Sequence, residues 1–105
     1  MKVSSNNKLP TYQVIGKKLR IHWDAKEVTK ETDEVFWEQE EALVPVTASR
    51  SMIIEAIMAT KYPTPGAEFA ALQNGPESVA AHQAMRDLAK GLAAGWVNRG
   101  SLRLP

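Results

Sequence analysis

Hydrophobic periodicity changes once along this 105-residue chain, at Thr47, and that change restricts what the chain can fold into. Before it, apolar residues recur at every second position. Leu19, Ile21 and Trp23 alternate with Arg20, His22 and Asp24, and Val35 and Trp37 resume the alternation after a polar run at residues 30–34. A period of two marks a half-buried strand. Tyr12 and Val14 suit a shorter strand, with Gly16-Lys17-Lys18 as the turn that follows it. The last strand can extend through Ala42, Val44 and Val46, with Pro45 marking an edge or an end. These segments predict a three-stranded antiparallel meander, apolar on one face and charged on the other.

After Thr47 the period is helical. Thr47 or Ser49 can cap a helix with Met52, Ile53, Ala56 and Ile57 on its apolar side. Tyr62 precedes Pro63 and is pushed towards extended backbone, so this helix ends near Lys61. Thr64 then offers a cap, Pro65 suits a first helical position, and Asn74-Gly75 suits a left-handed stop. A third helix is expected from Pro76 to about Asn98, with Ala81, Met85, Leu88, Leu92 and Trp96 in its stripe. Gly91 and Gly95 lie inside it, each costing about 1 kcal/mol relative to alanine, which argues for close packing against another element. Gly100 is the expected stop.

A small sheet needs a cover and amphipathic helices need a partner. The fold expected is therefore α+β: the three-stranded antiparallel meander followed by three α-helices packed on one of its faces. The core candidates are Trp23, Trp37, Ile53, Ile57, Phe69, Leu88 and Leu92. Residues 1–10 read as a flexible arm, 11–98 as a single domain and 99–105 as a flexible tail.

Charge is segregated although the net value is only +1. Residues 1–22 carry Lys2, Lys8, Lys17, Lys18 and Arg20 and no acid. Residues 23–45 carry Asp24, Glu27, Glu31, Asp33, Glu34, Glu38, Glu40 and Glu41 against Lys26 and Lys30. Blocks of this kind can neutralise each other across adjacent strands or join copies head to tail. The first is the safer reading.

Few chemistries fit these residues. With no cysteine there is no disulfide, thiolate nucleophile or cysteine-held zinc. His22 and His82 have no second ligand at a metal-binding spacing, and His22 reads as an exposed residue of a charged strand face. The acids between Glu27 and Glu41 fall on turns and an outer sheet face rather than in a cleft that separates their pKa values. No Gly-x-Ser-x-Gly, phosphate loop or dinucleotide fingerprint occurs, so no catalytic, cofactor-binding or metal residue is assigned. No apolar run reaches the ~20 residues of a membrane span, and no leader pattern opens the chain. A cytoplasmic protein without a small-molecule substrate is the expectation.

Nucleic-acid binding has some support in Lys17, Lys18 and Arg20. A recognition helix, however, needs basic or amide groups near its start, and the third helix begins Pro76-Glu77-Ser78-Val79. The sequence pI of about 8.0 is a weak basic footprint. Apolar residues on more than one side of the helices, Ile53 with Ile54 and Trp96 with Val97, point instead to self-association or docking on a protein partner.

Residues 12–24 (Tyr12 through Trp23-Asp24), 53–62 (ending Lys61-Tyr62) and 67–75 (Ala67 to Asn74-Gly75), with Ala81-His82-Gln83-Ala84-Met85-Arg86 in the last helix, resemble short uncharacterised prophage-encoded proteins. The resemblance covers roughly residues 12–98. It implies a phage origin, in a tail or structural gene neighbourhood, and carries no activity or catalytic residue with it. The expected function is a non-enzymatic phage protein acting through protein–protein contacts, as a tail or virion accessory or an assembly factor. It would reside in the cytoplasm of the bacterial host or with the virion. Arg20, His22, Trp96 and Val97 are the candidate contact residues. The alternative is a small DNA-binding or regulatory protein that uses the basic N-terminal arm.

Overall fold

In the computed structural model, which describes residues 1–102, four antiparallel strands within residues 2–45 form one sheet and three helices follow from Arg50, an α+β fold. The chain divides into two compact units, residues 1–46 and the residues from Thr47 onward.

The first unit is built on a long hairpin, β3 (Lys18–Thr29) against β4 (Val35–Pro45). Its turn is closed by a bond from the Lys30 N–H to the Glu34 carbonyl at 2.8 Å, with Asp33 in the left-handed region at φ 64°. A bulge between Trp23 and Lys26 inserts an extra residue into β3, and Asp24 there has φ 54°. β2 (Tyr12–Ile15) pairs with the start of β3, joined through Gly16 at φ 61°.

The fourth strand was not expected. β1 (Lys2–Ser5) pairs with Trp37 to Glu40 of β4, giving the order β1-β4-β3-β2. The sequence reading treats these residues as an arm because they are polar and lack periodicity. Pairing depends on backbone groups, however, and the outer edge of β4 offers a row of them. Lys2 adds an ion pair with Glu38 at 3.9 Å.

Since β1 and β2 lie on opposite edges, residues 6–11 must cross the sheet. Three strand spacings amount to about 14 Å, well within the reach of six residues. Leu9 and Pro10 bond to the side chains of Gln39 and His22, so the crossing runs over the face that carries those two residues. The opposite face holds Leu19, Ile21, Trp23, Ala42 and Val44, all buried.

Trp37 departs from its expected place in the core. Positions 37, 39 and 41 of β4 share a face, whereas Ala42 and Val44 have the other parity. Trp37 therefore lies with Gln39 and Glu41, half-buried, with the Lys8 ammonium 5.8 Å from its ring centre.

The helical unit follows the sequence signals closely. α1 (Arg50–Lys61) is capped by Ser49, whose hydroxyl accepts from the Met52 N–H, and ends at Tyr62 before Pro63. α2 (Pro65–Gln73) is capped by Thr64 and followed by Gly75 at φ +113°. α3 (Pro76–Leu102) runs past the expected end near Asn98, because Gly100 lies within the helix rather than stopping it. Residues 103–105 of the expected tail lie outside the described residues.

Both α1 and α2 pack on α3. Ile53, Ile57 and Met58 of α1 and Ala89 and Ala93 of α3 are buried. Leu92 is half-buried, Leu88 is 39% exposed and Phe69 is 65% exposed. The spacing of Leu88 and Leu92 is helical, but Ala89 and Ala93 occupy the inward line, where small side chains let helices approach. Gly91 is not a packing glycine, since a Cβ placed there meets nothing within 4 Å.

Candidate functional site

Each unit contains one histidine, and each histidine is bonded to a glutamate that also engages an arginine. On the sheet, cross-strand register sets His22 opposite Glu41. The Glu41 Oε2 atom receives the His22 Nε2 at 2.8 Å and the Arg20 Nε and Nη2 at 2.8 and 2.6 Å. Arg20 Nη1 donates to Gln13 Oε1 on β2 at 3.0 Å. The other His22 ring nitrogen, Nδ1, lies 2.7 Å from the Pro10 carbonyl oxygen.

His22 is thus 2% exposed, not part of an open charged face. Alternation places it on the polar side as expected, but the crossing segment covers that side. Burial pushes the Glu41 carboxyl up; the hydrogen bonds from His22 and Arg20 and their charges outweigh this and hold it below its usual range. Gln39, 3% exposed, accepts from the Leu9 N–H at 2.7 Å and donates to the Leu9 carbonyl at 3.1 Å. His22, Gln39 and Glu41 are buried, Arg20 is partly accessible, and the cluster is rich in hydrogen bonds, an arrangement that fixes strands and a loop.

Among the helices, His82 Nε2 lies 2.7 Å from Glu68 Oε1. Arg86 bridges Glu68 at 3.5 Å and Glu55 at 3.6 Å, joining one residue from each helix. The bond from His82 holds the Glu68 carboxyl below its usual range, against a smaller opposing push from burial and with help from Arg86. The Tyr62 ring lies 5.5 Å from that of His82.

A cleft of about 280 Å³ opens beside this cluster, lined by Glu55, Met58, Tyr62, Thr64, Pro65 and Glu68 among others. Its carboxylates are already matched by Arg86 and His82. Its one hydroxyl besides Tyr62, that of Thr64, caps α2 by accepting from the Ala67 N–H. The His82–Glu68 pair is engaged with Arg86, and no hydrogen bond joins His82 to either hydroxyl of the cleft among the described residues. Another cleft, of about 300 Å³, is lined by Ser4, Ser5, Asn6, Lys30 and Phe36. Its Lys30 ammonium rests 5.2 Å from the Phe36 ring centre. No group of three or more metal-ligating side chains occurs among the described residues.

Of the four candidate contact residues, Arg20 and His22 come together around Glu41, while Trp96 and Val97 lie on α3, half-buried and each with interactions of its own. Glu41, Gln39 and Glu68 were missed. The opposite charge blocks carry a signal for the first of these, and cross-strand neutralisation is realised in Arg20–Glu41 and Lys2–Glu38. Among the described residues no helix is long and apolar enough to cross a membrane. No family model, curated protein or solved structure matches the chain.

Proposed function

We propose that this chain is a non-enzymatic protein that works through protein–protein contacts. The observation that carries this reading is α2, a nine-residue helix with no buried residue that presents Phe69 at 65% exposure. Leu72 on the same helix and Val79 and Leu88 on α3 are exposed as well. Isolated apolar residues on a surface are ordinary, but several on adjoining helices fit recognition better than solvation. The contact surface accordingly centres on α2 and the first half of α3. A role as a phage tail or virion accessory, or as an assembly factor, rests on the resemblance of residues 12–98 to prophage-encoded proteins. The DNA-binding alternative draws on a basic N-terminus of which Arg20 is bound to Glu41 and Lys2 to Glu38.

Light scattering across a concentration series tests this reading. The expected result is a discrete multimer that Phe69→Ser, at an exposed position, disperses without unfolding the chain. A strict monomer that binds duplex DNA with affinity falling steeply in salt would overturn it in favour of the alternative.

A further inference from the structure

The His22 ring has a hydrogen-bond acceptor at each end: the Pro10 carbonyl oxygen 2.7 Å from Nδ1 and the Glu41 Oε2 2.8 Å from Nε2. A carbonyl oxygen can only accept. The Glu41 carboxylate also accepts here, since Arg20 donates to the same oxygen. A neutral imidazole carries one N–H and can serve only one of these acceptors. The doubly protonated ring serves both. With the side chain fully buried, water cannot take the place of the missing donor.

We propose that His22 is a proton-operated latch that holds the crossing segment, residues 6–11, on the sheet. With both ring nitrogens protonated, the imidazole joins β3, β4 and the crossing segment in one hydrogen-bonded unit. When the ring loses a proton, a bare nitrogen faces an acceptor, and the contact that yields is the one to Pro10, since Glu41 remains fixed by Arg20. The groups around the ring are few. Glu41 faces it from β4, and Arg20 on its own strand faces Glu41. Gln13 of β2 is neutral and bonds Arg20. The Met1 ammonium bonds the Glu41 carbonyl rather than its carboxylate and lies 3.7 Å from Glu40. β1 is joined to this segment directly, so opening the latch loosens its hold on β4 and raises the fraction of molecules in which the backbone of residues 37–40 is open. That edge is a template for another strand.

The test uses the full chain labelled with 15N. Long-range proton–nitrogen correlation reports the protonation of each ring nitrogen between about pH 5 and pH 8, the range in which histidine side chains generally change charge. His22→Gln identifies the signals. Amide exchange of Leu9 and Glu41, whose N–H groups bond Gln39 and Met1, reports the crossing segment and β1. The expected result is a doubly protonated ring at the lower end. As the ring loses a proton, the protection factors of Leu9 and Glu41 should fall about tenfold, the equivalent of one hydrogen bond, while that of Ile21 holds. In His22→Gln, whose donors share one end of the amide and whose other end only accepts, the segment should be loose throughout and its pH response absent. A ring singly protonated at every pH, protection unchanged through its titration, or a pH response surviving in His22→Gln would each overturn the latch. If His22→Gln does not fold, the wild-type ring and exchange data decide alone.

Discussion

Gln39 holds Leu9 by both backbone groups, accepting from its N–H at 2.7 Å and donating to its carbonyl at 3.1 Å. The side-chain amide does for one residue of the crossing segment what a neighbouring strand would do. A loop laid over a sheet face otherwise buries backbone polar groups without partners. This accounts for a polar residue 3% exposed in the middle of β4. Gln39→Leu removes both bonds at nearly constant volume and should destabilise the protein by ~1–3 kcal/mol, read from chemical denaturation. Gln39→Glu should cost at least as much, because a carboxylate then faces the Leu9 carbonyl. A change within about 0.5 kcal/mol for both, the ordinary range of a surface substitution, would mean that the segment is not docked by this side chain.

The two sheet tryptophans should respond unequally. Trp23 is 8% exposed on the apolar face, and Trp23→Ala should cost ~3–5 kcal/mol, as for a buried aromatic. Trp37 is half-buried on the polar face beside Lys8, so Trp37→Ala should cost at least about 1 kcal/mol less. Urea midpoints of the two variants at constant slope measure the difference. Equal losses would place Trp37 in the core after all.

How far the sequence could be read follows from what each element depends on. The caps Ser49 and Thr64 and the start of α2 at Pro65 were legible because each acts within three or four residues of itself. The β3 alternation was legible for the same reason. Trp37 was misplaced by a parity slip: the apolar run was continued from positions 35 and 37 to 42, 44 and 46, although no bulge in β4 permits it. β1 was illegible because its residues carry no pattern and its partner is some 35 residues away. The burial of His22 depends on where residues 6–11 run: strand order makes them cross the sheet, and the bonds of Leu9 and Pro10 to Gln39 and His22 put the crossing on this face. Glu41 could be seen as one of many acids, but its selection from among them required the register.

Gly91 offers a stabilising change. It lies exposed in the middle of α3, in open space and without a positive φ. Glycine there exacts a conformational cost and returns no close contact, so Gly91→Ala should stabilise the protein by ~0.5–1 kcal/mol. Phe69→Ala should leave stability within about 0.5 kcal/mol, as its side chain packs little within the molecule. Thermal unfolding at low concentration, where association does not contribute, measures both. A destabilising Gly91→Ala would reveal a close approach that the helix surface does not show.

Acid should weaken the protein through two identified carboxylates. The Glu41 and Glu68 carboxyls are held below their usual range in the folded chain. A group whose folded pKa is depressed binds protons more readily when unfolded, so acid favours the unfolded state. Its stabilisation is complete above the ordinary carboxylate pKa of about 4.3 and is lost as pH falls through the lowered folded value. Stability measured against pH should therefore decline from about 4.3 down to the lowered folded value and level off below it. Glu41→Gln keeps an acceptor for Arg20 and His22 but cannot titrate, and it should flatten the decline while lowering stability at neutral pH. Glu68→Gln should flatten it less, since Glu68 is the more exposed of the two, its side chain being 26% accessible against 4% for Glu41. An acid limb unchanged in both variants would assign the loss to other carboxylates and leave the histidine–glutamate pairs without a part in it.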